Sequence, residues 1–452
     1  MPRAILGISA YYHDSAAVLL VDGKIVAAAH EERFSRVKHD SGFPSHAAAY
    51  VLREGGLNIA DLEAVAFYDK PYLKFERLLE TYNGFAPAGL RSFLSAIPVW
   101  IKEKLFMRSM LREAIAKLGP GSPKMLFPEH HLSHAASAFY PSPFDRAAIL
   151  TIDGVGEWAT TTIGLGENAS IRILKEQQFP HSLGLLYTAF TAYCGFKVNS
   201  GEYKLMGLAP YGDGDMELVE RLKKAICDSL VDIREDGSLL LNMEYFDYAT
   251  GLRMYKRDKW EKLLGIPPRD AESEIGQEYM ALALAIQQVT EDIVLKLART
   301  ARDLTGCDNL VMAGGVALNC VAQWPADTQR HFQECVDSAR LRRLWRRAGR
   351  CAGRLAHMGR QRAPFPPTVL MPCKAPILGR SFRATIFCGS RAVLTRPILN
   401  TPTLKNSTPR WPSIWRTALW LAGFRAAWNM APAPWATGLF WVTPEDLKCK
   451  KS

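Results

Sequence analysis

His130 and His134 lie four residues apart in EHHLSHAASAFYPSPF (129–144). On a helix they share one face, and two imidazoles on one face can hold a single metal ion. His131 and Ser133 would project elsewhere. The same spacing fits a helix N-terminus whose histidines serve only hydrogen bonds. A second group is Asp153, which ends the apolar run of LTIDGVGEW (150–158) and is followed by Gly154 and Gly156. A carboxylate at a strand end can hold a metal, and the N–H groups of a glycine turn can cradle phosphate. A tight hairpin with Asp as turn former explains these residues equally well. In GGVALNC (314–320), Gly314 and Gly315 separate an apolar run from a helix start, where phosphate or ribose could approach the backbone. GEYKLMGLAPYG (201–212) carries Glu202 and Lys204. YYHDSAAVL (11–19) and EERFSRVKHDSGFP (31–44) could gather His13, Asp14 and Lys38 at the mouth of one hairpin. Taken singly, these last polar stretches read as charged, solvated loops.

The elements that must position these residues follow from the apolar patterning. AILGIS (4–9), AAVLLVD (16–22) and KIVAAAH (24–30) predict three strands, the last two flanking an Asp22-Gly23 hairpin turn. SHAAAYVLREGGL (45–57) has helical periodicity and a Gly-Gly stop, and AVAFYD (64–69) and MLF (125–127) are short strands. The plan then restarts. AAILTIDGVGEWATTTIGLG (147–166) is strand, glycine turn and strand, and IRILKEQ (171–177) is a third strand. A helix covers roughly 277–302, and NLVMAGGVALNC (309–320) is strand, turn and helix start. Two halves that each open with a three-strand meander predict an α/β chain with a duplicated, actin-like nucleotide-binding domain. Sugar kinases and chaperone ATPases share that arrangement.

The five stretches occur in order, as ILGIS and YHDSAA, EERFSRVKH, EHHLSHAASAFYPSPF, LTIDGVGEW, GEYKLMGLAPYG and GGVALNC, and cover essentially all of 1–322. Together they resemble the NodU/CmcH carbamoyltransferase family, and their wording is closest to its rhizobial nodulation members. The resemblance implies a TsaD-like domain of the actin type, with residues 1–146 as its first half and 147–322 as its second, followed in the family by a YrdC-like domain. It implies O-carbamoyl transfer from carbamoyl phosphate and ATP, through carbamoyladenylate, to a sugar hydroxyl; in the nodulation members this is O6 of a lipochitooligosaccharide Nod factor. His130, His134 and Asp153 match ligands for Fe(II). Gly154 and Gly156, with Gly314, Gly315, Val316 and Asn319, match nucleotide-binding turns. His13 and Lys38 match positions near the acceptor, with His13 as a base on the sugar hydroxyl. A TsaD-type tRNA threonylcarbamoyl transferase would share the fold, but the acidic balance of 1–322 and the carbamoyltransferase wording oppose it. A plain ATPase or sugar kinase is opposed by the His130/His134 pair.

Bulk composition divides the chain. It has 452 residues, 48% hydrophobic, with a net charge of +11. Residues 323–452 hold 22 Lys and Arg against 5 Asp and Glu, whereas 1–322 hold 34 against 40. A basic whole-chain charge favours acidic partners, but that reading fails for the first 322 residues, so no nucleic-acid partner is expected there. No apolar run is long enough to span a membrane. The N-terminus reads as a first strand rather than a signal peptide, and the nine cysteines lack C-x-x-C spacing. Reduced thiols in a cytoplasmic protein are expected.

The arginine-rich RLRRLWRRAGRCAGRL (340–355) invites a non-enzymatic reading as a basic nucleic-acid-binding arm, but a change of reading frame explains it better. The family continues here with a run like GDAGGALGAAL, whose Asp is a further metal ligand. Glycine and alanine codons read one base out of step become arginine codons. Residues 339–357 read one base on can spell PGSGDCGAGLGAALAVWH. Residues 372–382 and 424–441, read two bases on, can spell MQGAYLGPEL and SGRMEYGPRALGNRSIL, again close to family blocks in family order. Residues 323–452 are therefore expected to be an aberrant tail without a stable core, replacing the end of the TsaD-like domain and the YrdC-like domain. On this reading, limited proteolysis strips 323–452 and leaves a resistant 1–322 fragment; a protected tail overturns it.

Overall fold

An Asp22-Gly23 turn with both residues at positive φ (50° and 77°) closes the first hairpin, as a two-residue loop between right-twisted strands requires. In the computed structural model, which describes residues 2–12, 14–101, 105–321, 334–337, 372–377 and 380–385, β1 (Ala4–Ser9), β2 (Ala16–Val21) and β3 (Lys24–His30) form an antiparallel meander. α1 (Glu32–Ser35) and α2 (Ser45–Gly55) lead to β4 (Leu62–Phe67), which lies parallel to β1. α3 (Pro71–Gly84), α4 (Leu90–Trp100) and α5 (Met107–Ala116) precede β5 (Lys124–Leu126), parallel to β4, and α6 (His130–Phe139) follows.

The second half repeats the scheme. β6 (Arg146–Ile152), β7 (Ala159–Glu167) and β8 (Ser170–Gln178) form a meander. After it come α7 (Leu183–Tyr193), α8 (Glu202–Leu208), α9 (Met216–Ala225), a hairpin of β9 (Val231–Ile233) and β10 (Leu239–Leu241), α10 (Arg257–Leu264) and α11 (Gln277–Thr305). β11 (Asn309–Ala313) then runs parallel to β6, and β12 (Glu334–Asp337) parallel to β11. The sheet orders are β3-β2-β1-β4-β5 and β8-β7-β6-β11-β12. Both are a meander followed by two parallel strands on its first edge. That identity of order is the duplicated, actin-like α/β fold expected from the patterning.

The second sheet runs past residue 322, where composition alone sets the end of the half. The short ECVD run of β12 precedes the arginine-rich stretch and supplies an edge strand. β13 (Pro372–Ile377) and β14 (Arg380–Thr385) pair with one another. The rest of 323–452, and with it the expectation of a tail without a stable core, lies outside the described residues. Cys194, Cys227, Cys307 and Cys320 are free thiols. Among the described residues no helix is long and apolar enough to cross a membrane.

α6 is the element on which the two sheets meet. Ala136 packs with Ile5, Val18, Ala64 and Leu126 of the first sheet. Ala135, Ala138 and Phe139 pack with Ala147, Ile149, Val311 and Ala313 of the second. A helix buried on nearly all sides must carry small side chains where backbones approach, which is why only alanine and serine stand between His134 and Phe139. Gly166 on β7 has the same cause, since a Cβ there would stand 2.5 Å from the Phe139 ring. Ala138→Leu is expected to overpack this seam and lower stability by about 1–3 kcal/mol, read as a drop in the urea midpoint. An unchanged midpoint would show the seam to be loose.

Candidate metal centre

The first turn of α6 has no side-chain cap of its own; its N-cap, Glu129, makes no such bond. The cap comes from Glu157 in the β6–β7 hairpin, whose carboxylate accepts the His130 backbone N–H at 3.0 and 3.2 Å. Glu157 Oε1 also accepts the N–H of Lys70, just ahead of α3, at 2.8 Å. One buried carboxylate thus fastens the starts of two helices to the hairpin that carries Asp153. Burial raises the Glu157 pKa, while Lys74 and the backbone N–H bonds of Lys70 and His130 work the other way.

This anchorage brings three donor atoms together. His130 Nε2 and His134 Nε2 each lie 2.9 Å from Asp153 Oδ2, and 3.1 Å from one another. Protons alone satisfy such a triangle poorly, because two N–H groups aimed at one oxygen also face each other. A cation with metal–ligand bonds of about 2.1 Å has adjacent octahedral ligands about 3 Å apart, so the donor set fits one ion. Burial pushes His130 down to about 4, against the pull of Asp153, and pushes His131 well below its ordinary value. Burial alone would raise the Asp153 pKa, yet the two imidazoles hold it well below the usual carboxylate range. Asp153 Oδ1 is occupied separately, accepting from the N–H groups of Gly154 at 2.8 Å and Gly315 at 3.2 Å. The turn after β11 is therefore tied to the same carboxylate as the histidines.

The other histidine and serine do point away. His131 Nδ1 meets Thr151 Oγ1 at 2.7 Å, and Ser133 Oγ donates to the Tyr68 and Glu129 carbonyls. Gly156 makes room for α6, because a Cβ there would sit 2.9 Å from His131 Cδ2 and 3.1 Å from His130 Cβ. Gly314 (φ 97°) is forced by close packing, with its Cβ position 2.2 Å from the Ile152 carbonyl. Gly154 is open, with nothing nearer than Leu185 at 3.9 Å. Val316 packs against the core of the second half. Asn319 sits in a buried reciprocal amide pair with Gln287, at 2.9 and 3.0 Å, and Gln287 also accepts from Tyr187 Oη. Gln287 went unnoticed in the sequence; an amide among the buried apolar residues of α11 was the available signal.

Of the two residues expected near an acceptor, His13 lies outside the described residues. Lys38 is exposed on the loop after α1. Asp14 is buried and meets His39 Nδ1 at 2.9 Å, a pair the sequence did not single out. The solvated-loop readings need correction. Glu31 is buried and accepts the N–H groups of His46 and Ala47, so it caps α2. EYKLMGL is α8 rather than a loop, with Gly201 as its N-cap. Glu202 accepts from the Asn199 and Gly201 N–H groups and from Thr188, while Lys204 remains exposed.

The family model of the carbamoyltransferase N-terminus matches residues 4–335. An uncharacterized protein of Synechocystis sp. is 55% identical over 322 residues, covering 70% of this chain and 51% of that protein. Nodulation protein NolNO of Sinorhizobium fredii is 31% identical over 315 residues, covering 69% of this chain and 41% of its own length. The chain thus spans about half the length of the curated relatives it matches. Among solved structures, HypF of T. kodakarensis aligns with 74% of this chain and 46% of its own at 14% identity and a TM-score of 0.36. The fold assignment rests on the strand orders above.

The buried histidines set a pH dependence for the metal-free chain. His130 titrates near 4 when folded and near 6.5 when unfolded, so between those values the unfolded state binds more protons. Stability therefore falls as pH is lowered from about 6.5 toward 4. His131 acts in the same sense. The urea midpoint is expected to drop across this window, and less steeply for His130→Asn; equal slopes would remove the cause.

Proposed function

The chain belongs to the carbamoyltransferase family, whose N-terminal domain it carries, and from that membership we propose that it moves a carbamoyl group from carbamoyladenylate to a sugar hydroxyl. The observation that carries this reading is the convergence of His130, His134 and Asp153 beside two glycine turns. Two imidazoles and a carboxylate suit Fe(II). When bound, that ion would act as a Lewis acid toward an oxygen of the donor.

The protein's own groups supply the remaining parts. Asp153 holds both imidazoles through Oδ2 and the β11 turn through Oδ1, so a ligand at the triangle borders the backbone of Gly154 and Gly315. Gly154, crowded by nothing nearer than Leu185, is where the phosphate or ribose of the adenylate could come close, with AMP as the leaving group once the carbamoyl carbon bonds to the sugar oxygen. On the acceptor side the resemblance implies His13, which lies outside the described residues, as the base that takes the hydroxyl proton, and Lys38 as a second group for the acceptor. The family resemblance points to a lipochitooligosaccharide acceptor, carbamoylated at O6, and one matched relative is named a nodulation protein. Formation of carbamoyladenylate from carbamoyl phosphate and ATP belongs, on this reading, to the part of the longer relatives that this chain does not match. The frame-change reading of 339–441 agrees with that division, and a cytoplasmic location suits both cosubstrates.

The test supplies preformed carbamoyladenylate and a lipochitooligosaccharide to the Fe(II)-loaded full chain and looks for the carbamate ester by mass spectrometry. Transfer is expected, and His134→Ala should lower its rate by at least about 100-fold, beyond the loss typical of groups that merely support a ligand. No ester from the unsubstituted, metal-loaded chain would overturn the assignment.

A further inference from the structure

Two cations one turn apart on α3 face the β6–β7 hairpin, and they are treated differently. Lys74 is paired with Asp69. Asp69, Tyr68 and Glu157 outweigh its burial and hold its pKa above the ordinary lysine value. Arg77 has no such partner: among the described residues no carboxylate reaches ion-pair distance. Its Nη1 donates to the Gly156 carbonyl at 3.0 Å, and its guanidinium stacks 5.1 Å over the Phe179 ring. The hairpin and the ring thus fix its plane, while Nε and Nη2 make no hydrogen bond among the described residues. Burial lowers the Arg77 pKa to about 10, against Glu157 and Tyr12, while the side chain stays partly exposed, so its free N–H groups remain open to a ligand from solvent.

Its surroundings suit an anion. Gly156 backs directly onto His130, so Arg77 borders the three-donor group through a single residue. The first turn of α7 abuts the same hairpin: Ser182 caps it and donates to the Gly154 carbonyl, and Gly184 packs on the Asp153 backbone. A helix N-terminus and a guanidinium therefore flank one turn. Tyr12 in the β1–β2 loop lies within electrostatic reach of Arg77.

We propose that Arg77 binds a phosphoryl oxyanion beside His130, His134 and Asp153. Its planar fork matches two phosphoryl oxygens. Lys74 cannot substitute, since its charge is matched by Asp69. Naming the oxyanion as part of the carbamoyl donor rests on the transferase reading; the anion site does not.

The test is binding to the full chain by calorimetry, with inorganic phosphate and AMP as separate probes and no turnover. Arg77→Gln is expected to weaken both by about tenfold to a hundredfold. Arg77→Lys should recover part of the loss, since charge returns without the fork. Thermal midpoints and near-ultraviolet circular dichroism show that both variants fold. Equal loss for both probes places the phosphoryl group on Arg77. Loss for AMP alone would mean ribose or base recognition and overturns the proposal, as does unchanged binding in the variants or no phosphate binding by the unsubstituted chain. Absence of carbamoyl transfer with this pattern intact would count against the transferase reading alone.

Discussion

The structure depends on one helix being buried on every side. α6 has the first sheet against one flank and the second sheet against the other, so its position is set by both halves at once. Its small residues let the sheets close on it, and its first two turns carry both histidines of the three-donor group. Such a helix has little freedom to shift, because any movement opens a void on one side and a clash on the other. The geometry of the imidazoles is thus inherited from the packing of the fold rather than from a loop. This is the condition under which donor atoms hold fixed separations.

The charges around α6 follow a consistent logic. Buried carboxylates are the expensive groups, and each is matched. Asp153 has two imidazoles and two backbone N–H groups. Glu157 has the backbone N–H groups of Lys70 and His130, and Asp69 has Lys74. Glu157 also serves as the tie between α3 and α6. Without it, the N–H at the start of α6 would lose its acceptor, and the cationic face of α3 would lose its register with the hairpin. Arg77 is the exception in this matched set, and an exception beside the donor group is where a ligand's charge would complete the balance.

Much of this fold could be read from the residues, and the reasons are local. Strands announced themselves where apolar runs met Asp22-Gly23, or where TIDGVGEW broke into glycine. His130 and His134 were visible because helical spacing puts them on one face. The partnerships that span long stretches of sequence were not visible. Nothing near Glu157 says that it caps a helix beginning at residue 130, and nothing near Gln287 says that it meets Asn319. Glu31 and Glu202 looked like solvated charge because their acceptor role appears only once α2 and α8 begin beside them. Likewise Gly156 and Gly314 have shapes dictated by neighbours, respectively the α6 histidines and the Ile152 carbonyl. A glycine turn in a sequence therefore signals close approach of backbone, without saying whether a ligand or another strand is what approaches.

The position of the compositional break gives the last step. Every residue that holds the three-donor group in place, from Asp69 after β4 to Gly315 after β11, precedes it. The family match ends at 335 and β12 at Asp337, while the arginine-rich run begins at 340. The three events fall within a handful of residues, although one comes from similarity, one from strand pairing and one from charge. Asp153 Oδ2 on its imidazoles and Oδ1 on the β11 turn are therefore held entirely by groups encoded before the arginine-rich run. The donor group is complete as a unit upstream of that run, because α6, the β6–β7 hairpin and the β11 turn all close on one carboxylate.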